Sequence, residues 1–178
     1  RQQKDRIAGT VAFHRWVRNA LAPTLPYDQF EREIITATGN VSVNPPSQWY
    51  AEVRYLDRYV DDTAQAFLGI RIGCARCHHH PFEKFSQDDY YGLAAFFARV
   101  DRKGGTGVAE RRANETVFVK PTGEVKHPIT GAVVAPRGLG DRSLEIAPYE
   151  DPRHNLVDWM AGESNPYFAR AFVNRMWA

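Results

Sequence analysis

The chain has few cysteines, no long apolar run and almost no excess of charge. Its 178 residues carry a formal net charge of +2, so charge alone implies neither a nucleic acid nor an anionic membrane as a partner. No stretch of about 18 apolar residues is present, which predicts no membrane span in this chain. With 43% hydrophobic and 25% charged residues, the composition is that of a globular domain.

Several catalytic signatures are also missing. The sequence contains no G-x-S-x-G, no Walker loop and no dinucleotide-binding fingerprint. Two acidic pairs, Asp61–Asp62 and Asp88–Asp89, lie at predicted helix flanks or caps, where solvated surface or capping is expected. We therefore predict no catalytic residue in these segments.

The apolar spacing predicts a mainly helical fold. A helix is expected over 6–21, and Asp28 with Glu31 forms a capping pattern for a second helix that Gly39 ends. Ser47 is then expected to cap one long helix over 48–68. These helices predict a bundle-like domain.

The second half of the chain alternates between helical and extended patterns. Ser86 with Asp89 predicts a helix near 87–100. The segment 103–148 is rich in turns and alternates in "TVFVK", which predicts a loop and a small inserted β-hairpin. Pro152 and Pro166, behind Asp151 and Asn165, predict the starts of two further helices.

Both cysteines lie within "GCARCHHHPF", residues 73–82. Cys74 and Cys77 are three residues apart and His78 follows directly, which is the C-x-x-C-H pattern of c-type haem attachment. Two thiols on one turn can each add to a haem vinyl group, and the next imidazole then faces the iron. The pattern predicts haem c bound through Cys74 and Cys77, with His78 as the proximal iron ligand. It therefore favours a module that transfers electrons over a catalyst by itself.

Other chemistries for these residues remain open. Cys74, Cys77, His78 and His80 are the kinds of ligands that zinc prefers, although no second pair of ligands follows elsewhere in the chain. A disulfide between the cysteines, or two free thiols, is a further alternative. A thioredoxin-like dithiol is disfavoured because the βαβ setting is missing. In the zinc and disulfide alternatives the chain would be a non-redox structural or interaction domain.

The residues around the pattern suggest supporting roles. His80 precedes Pro81, which favours an extended backbone, so we predict that His80 contacts a haem propionate or a group beside the iron ligand. Gly69 and Gly73 predict a sharp exit from the preceding helix. A distal iron ligand would come from the remaining histidines and methionines, namely His14, His127, His154, Met160 and Met176.

Three stretches resemble a known family. These are "PYDQFEREIITATG", "AQAFLGIRIGCARCHHHPFEKFSQDDYYGLAAFF" and "NPYFARAFVNRMWA". They are similar to the cytochrome c-like domain proteins of planctomycete bacteria, a family long catalogued as a domain of unknown function. The resemblance implies that Cys74, Cys77 and His78 stand at the haem-attachment positions of that family.

The resemblance also implies a domain organisation and a location. Residues 1–102 would form the C-terminal half of a cytochrome c-like helical domain, 103–151 an insertion, and 152–178 the truncated start of a second helical domain. The chain begins without Met and stops within a helical pattern, so we expect it to be part of a longer protein. That protein would be exported to the periplasm or cell surface, with a redox protein or an adjacent domain as its electron partner.

Overall fold

The computed structural model describes residues 2–22, 25–104 and 115–177 of the chain. Within these ranges the protein is mainly helical with a small antiparallel sheet, as the sequence predicts. Seven α-helices occur in this part of the chain: α1 Gln2–Leu21, α2 Tyr27–Ile35, α3 Gln48–Glu52, α4 Leu56–Thr63, α5 Gln87–Ala95, α6 Pro152–Ala161 and α7 Phe168–Trp177. Short 3-10 helices cover Pro45–Ser47 and Ile72–Arg76, and a π-helical turn, Ala64–Leu68, extends α4. None of the described helices combines the length and the apolar character needed to cross a membrane.

The described strands form two small antiparallel sheets. They are β1 Gly39–Asn40, β2 Val100–Lys103, β3 Thr116–Val119, β4 Val125–Lys126 and β5 Val133–Val134. β3 is the central strand of the first sheet, between β1 and β2, whereas β4 and β5 pair with each other. The β4–β5 hairpin agrees with the predicted insertion. The alternating stretch at β3, however, pairs with strands that begin outside that insertion.

The chain divides into two compact units. Unit 1 comprises Arg1–Arg54 and Val100–Lys120, and unit 2 comprises Tyr55–Arg99 and Pro121–Ala178. Each unit therefore contains two separate stretches of the chain. The division at residues 102 and 151 that the sequence suggests is drawn from resemblance rather than from compactness, and it stays a prediction.

The core of unit 1 is built around α2. Phe30, Ile34 and Ile35 are at most 8% exposed and lie on one face of the helix, as their spacing predicts. Trp16 of α1 stacks on Phe30 with 5.3 Å between the ring centroids. The hydroxyl of Tyr50 donates a hydrogen bond to the carbonyl of Ile35 at 2.5 Å. Apolar contacts and the hydrogen bond from Tyr50 thus help to hold α2 in place.

The predicted caps of α2 and α3 are wrong. α2 starts directly behind Pro26, whose fixed φ of −53° suits a helix start, so Asp28 lies inside the first turn and makes no capping box with Glu31. α2 also ends before Gly39, which lies in β1 with a left-handed φ of 97°. Ser47 precedes α3, but its hydroxyl donates to the carbonyl of Thr38 at 3.1 Å instead of capping the helix.

The predicted long helix over 48–68 is broken between α3 and α4. Val53 has an extended backbone with ψ of 95°, and Tyr55 is extended with ψ of 149°. The chain passes from unit 1 to unit 2 at this point. The apolar stripe that suggested one helix is therefore shared between two shorter helices.

Arg102 of β2 gives the physical reason for the break. Its guanidinium donates to the carbonyls of Tyr50 and Arg54, at 2.8 and 2.9 Å. Arg102 thus supplies hydrogen-bond donors to carbonyls that no longer have a backbone N–H partner at the end of α3. Glu115, which is buried, bonds to Arg54 at 2.8 Å and lies 3.6 Å from Arg102. The ion pairs keep the partly buried guanidinium neutralised.

The core of unit 2 lies between α4 and α5. Val60, Leu93 and Phe96 are fully buried, and the ring of Tyr59 lies 5.8 Å from that of Phe97. These side chains repeat at helical spacing and form the apolar faces of the two helices. α5 ends at Ala95, earlier than the predicted 100, because the chain turns and enters β2.

Three predicted caps in unit 2 are confirmed. Ser86 accepts a hydrogen bond from the N–H of Asp89, and the Asp89 carboxylate accepts from the N–H of Ser86, which completes a capping box for α5. Asp151 caps α6 by accepting from the N–H of Arg153, with Pro152 at the first helical position. Asn165 accepts from Tyr167 and Phe168 at the start of α7, although the regular helix begins after Pro166.

Candidate functional site

The two cysteines lie in a segment that connects the end of α4 with α5; we call residues 69–86 the CxxCH segment. Gly69 opens it with a left-handed φ of 70°, and the N–H of Ile70 donates back to the carbonyl of Ala64 at 3.1 Å. A left-handed residue is the usual end of a helix and favours glycine. Gly69 therefore makes the sharp exit that the sequence predicts, whereas Gly73 does not adopt a positive φ.

A short 3-10 helix, Ile72–Arg76, carries the first cysteine. Ile72 and Ala75 are fully buried, and Cys74 and Cys77 are exposed and not joined by a disulfide. The N–H groups of Cys77 and His78 both donate to the carbonyl of Cys74, at 3.3 and 3.4 Å. Buried anchors on one side and backbone hydrogen bonds thus hold both thiols on one exposed turn.

Arg76, between the cysteines, fixes this turn to the two neighbouring helices. Its guanidinium forms an ion pair with Asp57 of α4 at 2.5 Å. Its carbonyl accepts hydrogen bonds from the Gln87 amide at 2.9 Å and the Tyr91 hydroxyl at 3.3 Å, both on α5. The contacts that hold the middle of the CxxCH pattern therefore do not involve the cysteine side chains.

The imidazole of His78 is oriented by the backbone of the next residue. Its Nδ1 lies 2.7 Å from the carbonyl of His79. A carbonyl only accepts hydrogen bonds, so Nδ1 carries the proton in the neutral ring and Nε2 keeps a free lone pair. Metal-binding histidines commonly have one ring N–H bonded to a carbonyl in this way. His78 is exposed, and its Nε2 is the nitrogen that can bind a metal.

His80 closes the segment by using both ring nitrogens. Its Nδ1 accepts from the N–H groups of Phe82 and Glu83, at 3.3 and 3.0 Å. Nε2 therefore carries the proton in the neutral ring and donates to the carbonyl of Arg71 at 3.0 Å. The ring links the residues before the 3-10 helix to those after the histidines, and we call these three hydrogen bonds the His80 clamp.

A partly buried carboxyl lies behind the turn. Both carboxylate oxygens of Asp61 would lie 3.4 Å from a Cβ placed on Gly73. Burial, and after it the negative charge of Asp57, raises the pKa of the Asp61 carboxyl, while Arg58 and Arg76 lower it. Oδ1 of Asp61 is buried and finds no hydrogen-bond donor among the described residues. This oxygen therefore loses solvation without a compensating hydrogen bond.

A family model, PSCyt2, described as a protein of unknown function (DUF1549), matches residues 1–102. The match covers more than half of the chain and all of the CxxCH segment. The chain belongs to the PSCyt2 family. No curated protein and no solved structure shows a significant match.

The PSCyt2 match includes every residue that the sequence proposes for attachment. The structure brings Cys74, Cys77 and His78 onto one exposed turn and places His80 at its base. His80 has no free ring nitrogen in this arrangement. A role for it as a metal ligand is therefore disfavoured, and its contacts stabilise the loop itself.

The structure also limits the zinc alternative for this PSCyt2 chain. Over residues 2–22, 25–104 and 115–177, no three His, Cys, Asp or Glu side chains lie together in a way that could hold a metal ion. The exposed cysteines and His78 face outward, whereas the ring of His80 is turned into its clamp. A closed tetrahedral zinc site would need the ring of His80 to leave its hydrogen bonds and turn toward the cysteines as the fourth ligand.

None of the five distal candidates is singled out. His127 uses its Nδ1 to accept from Ile129 and Thr130, and its Nε2 lies 3.6 Å from Asp88. Met160 is 1% exposed and belongs to the core of unit 2. The remaining candidates, His14, His154 and Met176, are exposed.

Sequence reasoning missed the residues that support the turn in this PSCyt2 protein. Asp57, Arg76, Gln87 and Tyr91 hold the 3-10 helix, but each is an ordinary polar residue of a helix or turn in the sequence. One usable signal was present. Gln87 and Tyr91 are four residues apart and so share one face of α5, directly behind the Ser86 cap.

Proposed function

We propose that the chain is a c-type haem-binding electron-transfer domain of a larger exported bacterial protein, of the cytochrome c-like kind found in planctomycetes. Cys74 and Cys77 would carry the two thioether bonds, and Nε2 of His78 would bind the iron. When bound, the haem supplies one-electron redox chemistry. The role of this chain's own residues is to hold the haem and orient its proximal ligand.

The arrangement of the exposed turn is the observation that carries the proposal. Both thiols are free and accessible, while Ile72 and Ala75 face the interior of unit 2. The Nδ1–H of His78 is bonded to a carbonyl, which leaves Nε2 as the ligand nitrogen. The donor set therefore fits covalent attachment of haem.

The proposal extends to architecture, location and partner. The CxxCH segment would be the haem loop between two helices of a bundle-like domain. Covalent haem and the family resemblance favour the periplasm or the cell surface. The electron partner would be a separate redox protein or an adjacent domain of the same polypeptide.

A second candidate is a non-redox structural domain, with the cysteines joined in a disulfide or bound to zinc. The observation that favours a disulfide is the pair of exposed thiols on one turn. Such a bond would close a very short loop and would add little to the contacts that Arg76 already makes. Zinc is less favoured because the His80 clamp occupies both ring nitrogens.

The test is to produce the chain together with a c-type haem maturation system. We expect a haemochrome absorbance spectrum and an intact mass increased by one haem. Replacement of both cysteines by alanine abolishes both signals, whereas His79→Ala, next to the ligand, retains them. An unshifted mass and no Soret band would refute the haem proposal. Zinc analysis and the mass change on reduction and alkylation then distinguish the two forms of the structural alternative.

A further inference from the structure

The peptide group between Arg76 and Cys77, in the exposed turn, is held at both of its polar atoms. Its carbonyl oxygen accepts hydrogen bonds from the amide of Gln87 and the hydroxyl of Tyr91, at 2.9 and 3.3 Å. Its N–H donates to the carbonyl of Cys74 at 3.3 Å. Because a peptide group is planar, fixing both atoms fixes its orientation and therefore the position from which Cys77 starts.

Tyr91 in turn contacts a ring from the inserted hairpin. The ring centroid of His127, which directly follows β4, lies 5.8 Å from that of Tyr91. Nε2 of His127 lies 3.6 Å from the carboxylate of Asp88. Asp88 and Tyr91 are three residues apart and share one face of α5. The buried His127 ring therefore lies against α5 beside the phenol that reaches the exposed turn.

His127 is itself fixed by the loop that joins β4 to β5. Its N–H donates to the carbonyl of Ala132 and its carbonyl accepts from the N–H of Gly131, both at 2.9 Å. Its Nδ1 accepts from the N–H groups of Ile129 and Thr130, at 3.3 and 3.4 Å. The ring cannot leave its place against α5 without breaking these bonds, so it can restrain the side chain that it contacts.

A second contact ties the inserted segment to the same part of α5. The N–H of Arg137 donates to the carbonyl of Gly92 at 3.1 Å, and the Arg137 guanidinium lies 3.5 Å from Asp89. A Cβ on Gly92 would lie 2.9 Å from the Cβ of Arg137, so only glycine permits this close approach. The insertion is therefore packed directly on the helix that holds the exposed turn.

We propose that the β4–β5 hairpin is a positioning element for the exposed turn. It acts through His127 and Tyr91 on the peptide group that places Cys77, and with it His78, the next residue. The hairpin lies outside the PSCyt2 match, so this assigns a role to a segment that the family does not include. The inference rests on the proposed function only in its last step, where His78 is the iron ligand.

The first experiment measures amide hydrogen exchange at Cys77 and His78 by NMR in the full chain. Tyr91→Phe keeps the ring but removes the hydroxyl, and we expect both amides to exchange about two- to tenfold faster, since one hydrogen bond that holds the turn is lost. Tyr167→Phe is the matched control, because the Tyr167 hydroxyl makes no hydrogen bond within the part of the chain that the structure describes. Equal exchange rates in the two variants would overturn the proposal.

A pair of variants at His127 tests the contribution of the hairpin. His127→Asn keeps an acceptor that can close the loop but removes the ring beside Tyr91, so we expect faster exchange at Cys77. His127→Phe keeps a ring and should restore a rate close to the native one. Exchange of the Gly131 amide shows in each variant that the hairpin is still formed. A native rate in His127→Asn, or equally fast exchange in both variants, contradicts a role for the ring.

The last step is tested on the full chain produced with a c-type haem maturation system. We expect Tyr91→Phe and His127→Asn to shift the reduction potential of the iron, because its ligand is held less firmly, and Tyr167→Phe to keep the native value. Faster exchange without a shifted potential would show that the hairpin does not position the iron ligand. If the native chain carries no haem, the proposed function is wrong, and amide exchange alone decides whether the hairpin positions the turn.

Discussion

At the residue scale, two histidines form the same local structure, and both are followed by proline in the sequence. His80 and His127 each precede a proline, and the Nδ1 of each accepts from the N–H groups two and three residues later. The ring acts as the short polar side chains of Asp and Asn do when they close a turn on their own backbone. In this chain a His-Pro pair therefore indicates a turn more directly than it indicates a metal site.

Loss of the His80 ring should destabilise the protein. His80→Ala removes three hydrogen bonds, and we expect the free energy of unfolding to fall by about 1–3 kcal/mol. His79→Ala, at the neighbouring exposed position, should change it by less than about 0.5 kcal/mol. Urea unfolding followed by circular dichroism measures both. Equal losses in the two variants would show that the clamp contributes nothing specific.

Asp61 gives a prediction about pH. Burial raises the pKa of this carboxyl above its ordinary value of 3.8, so the folded chain holds the Asp61 proton more tightly than the unfolded chain does. Stability from this group is therefore fully present below the unfolded pKa and is lost as pH rises through the folded pKa. Asp61→Asn should raise the melting temperature at pH 7 and leave it unchanged at pH 3.

The adjacent Asp62 supplies the control for that measurement. The charge of Asp62 also raises the pKa of Asp61, but it ranks below burial and Asp57 among the causes. Asp62→Asn should therefore give a smaller gain in melting temperature at pH 7. A gain at pH 3 as large as that at pH 7 in Asp61→Asn would contradict the electrostatic explanation.

At the scale of elements, the capping-box spacing predicted the start of one helix correctly and that of another wrongly. Ser86 with Asp89 predicts the capping box of α5, and both hydrogen bonds are present. Asp28 with Glu31 has the same spacing, yet α2 starts one residue before Asp28, behind Pro26. Local spacing predicts a cap only where the preceding backbone is free to take the extended conformation that a cap requires.

The break between α3 and α4 could not be predicted from local spacing, because it depends on a residue far along the chain. The apolar stripe over 48–68 is continuous, but Arg102 supplies hydrogen bonds to the carbonyls at the break from a distant part of the chain. Likewise the CxxCH pattern predicts which residues are reactive, while Asp57 and Tyr91, which hold the turn, carry no local signal. Polar contacts between residues far apart in the sequence cannot be predicted from hydrophobic periodicity, which reports only local spacing.

Gly69 permits a prediction with a matched control. Alanine at Gly69 must adopt a φ of 70°, and its Cβ would lie 3.2 Å from the side chain of Ala171. We expect Gly69→Ala to cost about 1–3 kcal/mol of stability. Gly131→Ala has the same backbone demand, with a φ of 69°, but meets open space.

The comparison separates two effects at Gly69. Gly131→Ala should lose about 1 kcal/mol through the left-handed backbone alone. The larger loss at Gly69 then measures the contact with Ala171 across to α7. Thermal unfolding of the two variants side by side gives both values. A smaller loss at Gly69 than at Gly131 would contradict this explanation.

At the scale of the whole molecule, unit 1 depends on a stretch that lies far along the sequence. The PSCyt2 match ends at residue 102, inside β2, whereas β3, the central strand of the first sheet, begins at Thr116. Glu115, just before β3, also pairs with Arg54 from the first stretch. The family region therefore needs residues beyond its matched end to complete its own sheet.

Arg102 is the residue to test for this dependence. Arg102→Lys keeps the charge but cannot reach the carbonyls of both Tyr50 and Arg54, so we expect a loss of about 2–4 kcal/mol in the free energy of unfolding. Arg99→Lys is the control, because Arg99 also donates to two carbonyls with a more exposed guanidinium. Its loss should be about 1 kcal/mol or less. Equal losses in urea unfolding would show that burial of Arg102 is unimportant.

The central position of β3 has a consequence for the growing polypeptide on the ribosome. Synthesis is vectorial, so β1 and β2 emerge before the strand that joins them, and the whole of α4 and α5 emerges between β1 and β3. Until β3 arrives, both strands present unpaired edges that can associate with other chains. Both strand edges therefore stay unpaired while residues 104–119 are synthesised, and aggregation through these edges is expected in that interval.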